Sequence, residues 1–334
     1  MRVVITGATG NVGTSFVDAL LGDERVETIV GIARRTPSTR PPRTTWTALD
    51  VGRDDLAPVL HGADAVVHLA WAVSPSHDVR GMWRTNVLGS RRVAEAAAGA
   101  GVPVLVHASS VGVYARGPKD RGVDEDWART GVPSSLYARH KAEAERRLDQ
   151  IERAAPALRV VRMRPALCFK RNAASGVRRL FVGPLPPRAL MRPSRIPVVP
   201  DIPGLRFQAV HTDDVAEAYR LALMSDVQGP INVAAEPVLD PATLAEALGA
   251  RTVRVPARVA RALLAATWRL RLQPTSPGWL DMALGVPLMD TTRARAALGW
   301  APRRTSLDAL RELLEGMADR AGAPTPPLAP GVLP

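Results

Sequence analysis

At 334 residues, 46% hydrophobic and 23% charged, the chain reads as a soluble globular protein of about two domains with room for a large buried core. Its single cysteine, Cys168, excludes an intramolecular disulfide and a cysteine-based metal site, fits a reducing compartment, and is expected to be a buried inert thiol. No apolar run approaches the ~20 residues that span a bilayer, and a strand beginning at residue 2 leaves no room for a signal peptide, so a cytoplasmic protein with no membrane partner is expected. The net charge of +12 raises a nucleic-acid reading, since residues 151–200 carry eleven Lys/Arg against one acid, Glu152. That tract lacks interleaved aromatics and any recognised nucleic-acid motif, so an arginine-rich surface or a pocket for an anionic substrate is the better reading.

In chain order, Val3-Val4-Ile5 is a short β-branched run bounded by glycine, which predicts a buried strand. Gly7, Gly10 and Gly13 follow Thr6, and Thr14–Leu21 continues with helical spacing. A strand, a glycine turn and a helix make an anion site. Gly7 allows the tight turn, Gly10 lets a pyrophosphate approach, Gly13 lets the helix pack closely, and the helix N-terminus supplies free N–H groups. By itself the triplet is weak evidence, because glycines also punctuate ordinary turns.

Residues 26–33 read as the second strand, ending where an acid would bind the ribose hydroxyls of NAD. The chain carries Ala33-Arg34-Arg35 there, and a guanidinium suits the 2′-phosphate of NADP; the plainer reading is a solvated basic turn. Trp46–Val51 reads as a third strand with a helix starting at Asp54 or Asp55, and Asp50 is either an adenine-binding acceptor or a turn residue. Asp64–Ala70 is a fourth strand, ending in Leu69-Ala70-Trp71 at the carboxyl edge where ligands bind in open α/β sheets. His68 within it is expected to be a satisfied core histidine. A long helix over 79–100 carries Asn86, and 102–107 is a fifth strand. This alternation predicts an α/β fold with a doubly wound parallel sheet.

Ser109-Ser110 then end the fifth strand, and a helix opening near Pro133 carries Tyr137 and Lys141 four apart on one face. A phenol titrating near 10 is a poor base at neutral pH; a nearby ammonium would stabilise the phenolate and lower that value. A hydroxyl such as Ser110 would hold a substrate oxygen as its proton moves. A Tyr–Lys pair on an amphipathic helix is also common by chance.

The set Thr6-Gly7-x-x-Gly10-x-x-Gly13, Asp50-Val51, His68-Leu69-Ala70, Asn86, Ser109-Ser110-x-x-Val113-Tyr114, Tyr137-x-x-x-Lys141 and Arg164-Pro165 closely resembles the extended short-chain dehydrogenase/reductase family, often labelled NAD-dependent epimerase/dehydratase. Val210–Val215 and Leu298-Gly299-Trp300-x-Pro302 extend the likeness over roughly residues 1–320. The resemblance implies a Rossmann domain over 1–169 with 207–235 returning to it. A smaller, mostly helical substrate lobe would follow over 170–206 and 236–320, with a disordered tail over 321–334. It implies Tyr137 as general acid/base, Lys141 bonding the nicotinamide ribose, Ser110 as the substrate-binding hydroxyl and Asn86 as a supporting polar group. The cofactor, NADP favoured and NAD possible, would rest on Gly7, Thr9, Gly10, Asn11, Val12, Arg34, Asp50, Val51, Leu69, Ala70, Trp71, Tyr137, Lys141 and Pro165. Trp71 occupies a position that is usually small.

Two further expectations follow. The tract 170–204, with seven prolines between 184 and 203, would be an irregular substrate loop, in which Arg178 and Arg179 would meet an anionic small molecule. Val111-Gly112 stand where the family's 4,6-dehydratases place an Asp-Glu pair, which disfavours dehydration. A reductase, an epimerase retaining NAD, and a non-catalytic NAD(P) sensor stay open, as does a homodimer through helices 79–100 and 135–154.

Overall fold

A computed structural model describes residues 1–73, 77–183 and 187–330. The β-branched runs form the sheet. β1 (Arg2–Thr6) leads through the glycine turn into α1 (Asn11–Leu21), then β2 (Thr28–Ala33), β3 (Thr44–Ala48), the short α2 (Ala57–Leu60) and β4 (Ala65–His68). The predicted long helix is present as α3 (Val79–Trp83), a π-turn over Arg84–Leu88, and α4 (Gly89–Gly99). β5 (Val104–Ala108), a two-residue β6 (Gly122–Val123), α5 (Leu136–Ala154) and β7 (Arg159–Pro165) complete the first half.

After β8 (Leu167–Phe169) the chain passes through 3-10 and π turns around the four-residue α6 (Ala174–Val177), as the proline content predicts; Pro184 and Pro186 lie outside the described residues. β9 (Val198–Asp201), β10 (Ala209–His211), α7 (Thr212–Met224) and β11 (Gly229–Val233) follow. The remainder is α8 (Pro241–Leu248), β12 (Arg251–Arg254), α9 (Ala257–Arg269), α10 (Pro277–Gly285), β13 (Leu288–Met289), α11 (Thr292–Leu298) and α12 (Ser306–Ala318).

The central sheet has seven parallel strands in the order β11-β7-β5-β4-β1-β2-β3. Alternate residues along each strand feed two cores, because side chains leave a strand on opposite faces. Val3, Ile5 and Val67 join Phe16 and Leu20 of α1 and Tyr219 of α7 on one face. Val4, Val66 and Leu105 join Leu60 of α2, Ala97 of α4 and Leu148 of α5 on the other. Strand order reverses between β1 and β4, so the turns after those two strands open onto one crevice.

Residues 321–330, expected to be disordered, pack instead. Leu328 is buried, Ser175 N–H donates to Ala321 O at 3.1 Å, and Thr325 Oγ1 donates to Thr9 O at 2.9 Å. Partners distant in sequence supply this order, which composition cannot reveal; residues 331–334 lie outside the described set.

Candidate cofactor and catalytic site

The glycine turn is shaped for close approach. Gly7 has φ +71° and its N–H donates to Ile32 O at 2.8 Å; a Cβ there would stand 2.6 Å from the Ala70 nitrogen. At Gly13 a Cβ would stand 2.4 Å from Gly7 O, which is how α1 packs onto the turn. α1 begins after Gly10 with no side-chain cap and no acid in its first turn, leaving its N-terminal N–H groups for an anion.

A cavity of about 310 Å³ opens over this turn. Gly7, Thr9, Gly10, Arg34, Asp50, Val51, Leu69, Ala70 and Trp71, all expected at the cofactor, line it. Asp50 lines the cavity and acts as a turn residue, its Oδ1 accepting from Gly52 N–H at 2.8 Å. Arg34 and Arg35 are exposed at the end of β2, where the chain carries no acid of the kind that would favour NAD. The glycine cradle and the two guanidiniums fit a dinucleotide. Asn11, Val12, Tyr137, Lys141 and Pro165 are not part of the lining: the Asn11 amide donates to Cys168 O at 2.9 Å and its oxygen accepts from Thr212 Oγ1 at 3.2 Å. Thr85, Leu180, Pro326 and Pro327 do line it, and no local motif marks them.

A buried hydrogen-bond chain sets the wall formed by residues 69–72. Ala70 N–H donates to Thr6 Oγ1 at 3.3 Å, Thr6 Oγ1 lies 2.6 Å from His68 Nδ1, and His68 Nε2 lies 2.8 Å from Ser90 Oγ. The Ser90 hydroxyl donates to Asn86 O, so His68 carries its proton on Nε2 and accepts from Thr6 on Nδ1. Burial holds His68 down to about 3 and therefore neutral. Asn86 sits in the π-turn, where its side chain grips both the N–H and C=O of Ala72, at 2.7 and 2.8 Å. It positions the wall and is not itself in the cavity lining.

Tyr137 stands in the first turn of α5, which Ser135 caps by accepting from Ala138 N–H. The two serines separate cleanly. Ser109 Oγ donates to Glu145 Oε1 at 2.5 Å beneath the site, whereas Ser110 Oγ accepts from Gly112 N–H at 3.0 Å and lies beside Tyr137. Trp71 (6.0 Å, edge-on) and Trp279 (4.8 Å) flank the Tyr137 ring, and Phe181 meets Trp279 edge-on at 4.8 Å.

Lys141 does not have the expected effect on Tyr137. Burial pushes the phenol up to about 12, and the opposing pull comes from the Ser110 hydroxyl rather than from Lys141. Lys141 Nζ is 5.7 Å from the Tyr137 ring centroid; it donates to Ala108 O at 2.6 Å and lies 3.4 Å above the Trp71 ring. Burial draws Lys141 down to about 7, with Glu145 opposing. The unusual Trp71 thus holds the lysine.

Residues 3–234 match the family model described as "NAD dependent epimerase/dehydratase family". The chain belongs to that family. An uncharacterised protein of Mycobacterium tuberculosis is 28% identical over 326 residues, 96% of this chain but 31% of the relative, so the chain spans about a third of the length of that relative. The L-arabinose 1-dehydrogenase (NAD(P)(+)) of Haloferax volcanii is 36% identical over 116 residues, 34% of this chain and 42% of that enzyme. The structure of MoeE5 in complex with UDP-glucose and NAD superposes with a TM-score of 0.71 at 23% identity, covering 96% of this chain and 99% of that one, which supports the shared fold.

In this epimerase/dehydratase family member the site rests on a buried charge network. Arg164 bonds Glu145 through two nitrogens, at 2.9 and 2.6 Å, and donates to Tyr114 Oη and Glu125 O at 3.0 and 2.7 Å. Tyr114 Oη in turn donates to Asn232 Oδ1 at 2.6 Å, tying β11 to the loop after β5. Much of the basic tract is likewise engaged internally. Arg162 pairs with Asp149 and Glu152, Arg171 and Arg192 pair with Asp319, and Lys170 donates to Thr14 and Ser15 hydroxyls. Arg179, placed by expectation in a substrate loop, lines the cofactor cavity and donates to Pro327 O at 2.5 Å. Cys168 is part-buried rather than fully buried as expected, and burial of its thiol pushes it up to about 12, which keeps it protonated at neutral pH.

Proposed function

We propose that this chain is an NAD(P)-dependent oxidoreductase acting at a secondary alcohol or carbonyl of a small molecule, with Tyr137 as general acid/base. The observation that carries the reading is the juxtaposition of Ser110 and Tyr137 at the carboxyl edge of the sheet, with Trp71 of the cavity wall 6.0 Å from the Tyr137 ring and Lys141 one turn further along α5. The cofactor supplies the hydride donor or acceptor. Tyr137 moves a proton at the substrate oxygen, Ser110 orients that oxygen, and Lys141, titrating near neutrality, adjusts the local charge. Asn86 and the His68 chain hold the wall against which the reacting groups align.

Arg34, exposed on the cavity rim, favours NADP through a charge-assisted contact with the 2′-phosphate. An epimerase that retains NAD is the second reading, favoured by the NAD and UDP-glucose bound to the similarly folded MoeE5. Val111-Gly112 after Ser110 lack the acid that dehydration needs.

Tyr137→Phe tests the assignment. NADPH and NADH titrations should be unchanged, while nicotinamide oxidation or reduction against a panel of ketones and secondary alcohols should fall about 10²- to 10⁴-fold. Undiminished turnover would remove Tyr137 from the role. Cofactor binding with no turnover in the unaltered protein, across carbonyl and nucleotide-sugar panels, would favour the sensor reading.

A further inference from the structure

Among the described helices of eight or more residues, α9 alone has no buried side chain. Val259, Ala262, Leu263, Ala266 and, at its C-cap, Leu270 recur at helical spacing and share one face, and all are exposed. Leu263 is 62% and Leu270 69% exposed. Single exposed leucines need no explanation, but an apolar stripe along a whole helix does.

Charge identifies the occupant. Residues 247–280 contain six arginines and no Asp or Glu. Arg258 and Arg269 each directly precede a residue of the stripe and so border it, and Arg271 lies exposed just beyond. Arg261 points the other way, pairing with Asp281 of α10 at 2.7 Å. A second copy of this face would set arginines against arginines. Acyl chains beneath anionic headgroups satisfy both the stripe and its basic border, and a 13-residue helix is the right object to lie in that plane without crossing it.

We propose that α9 is a peripheral docking helix for an anionic lipid surface. The inference is independent of the reaction assigned above. It goes beyond the expectation of no membrane partner, which considered only spanning segments. α10, joined to α9 by the Arg261–Asp281 pair, carries Trp279 against Tyr137, so a docked α9 sets the Tyr137 cleft beside the bilayer.

Co-sedimentation of the full chain with phosphatidylcholine vesicles, and with vesicles also containing phosphatidylglycerol, tests this. Binding is expected only to the anionic vesicles and should weaken as salt rises. Leu263→Glu should abolish it. The triple variant Arg258→Gln, Arg269→Gln, Arg271→Gln should lower the partition coefficient about a hundredfold, about fivefold per arginine. Both variants should keep wild-type circular dichroism and NADPH affinity. No binding to anionic vesicles, binding that survives Leu263→Glu, or a dimer in sedimentation equilibrium that Leu263→Glu dissolves would each overturn the proposal, the last by making a second copy the occupant.

Discussion

Lys141 is 2% exposed, and burial lowers its pKa from the ordinary 10.5 to about 7. Between those values the unfolded chain binds more protons than the folded one, so this residue makes stability rise with pH across the window. The slope is about 1.4 kcal/mol per pH unit, so between about pH 7.5 and about pH 9.5 it contributes about 2.7 kcal/mol. Lys141→Met keeps the length of the side chain and removes the titration. Urea denaturation of both proteins at the two pH values reads the effect directly. Lys119, lowered to about 8, and Lys170, also lowered by burial, titrate in both proteins and cancel in the difference. Wild-type stability should gain about 2.7 kcal/mol more than that of Lys141→Met. Parallel curves would refute the claim that Lys141 is a desolvated amine held on the Trp71 face.

Gly7→Ala should cost about 1–2 kcal/mol for its left-handed φ, and more because the Ala70 backbone must move; a lowered Tm together with lost NADPH binding is expected, and an unaltered titration would count against the cradle. Arg164→Leu should destabilise by about 3–5 kcal/mol in urea titrations, because it strands a fully buried Glu145. Burial alone would raise Glu145, and Arg164 and Ser109 hold it below its ordinary value. Its contribution is therefore present at neutral pH and lost on acidification, so the deficit of Arg164→Leu should shrink as pH falls. Leu328→Asp should release residues 321–330 from the glycine turn; limited proteolysis should then cut within that segment, and NADPH exchange should quicken in stopped-flow measurements.

Much of the fold was legible because its determinants are local. The β-branched run Val3-Val4-Ile5, the glycines at fixed spacing after it, and the four-residue separation of Tyr137 and Lys141 each report a backbone period or a φ requirement that neighbouring residues alone impose. His68 could be read as a core histidine for the same reason, since apolar β-branched residues surround it in its strand. Its partners could not. Ser90 and Thr6 come from other elements, and only their juxtaposition selects its tautomer.

The tertiary structure decided the rest. Ser109 and Ser110 are chemically identical neighbours whose side chains part because Glu145 of α5 stands below one and Tyr137 beside the other. A shared helical face put Lys141 near Tyr137, yet the carbonyl of Ala108 and the ring of Trp71, brought from β5 and the turn after β4, draw its ammonium elsewhere. Proline-rich composition suggested disorder after residue 320, and the hydroxyl of Thr325 reaches across the chain to Thr9. Local spacing determines which elements form and which face each residue takes. Which side chains meet, and which proton each one holds, depends on contacts between segments far apart in the chain, because hydrogen bonding and desolvation are properties of the packed neighbourhood.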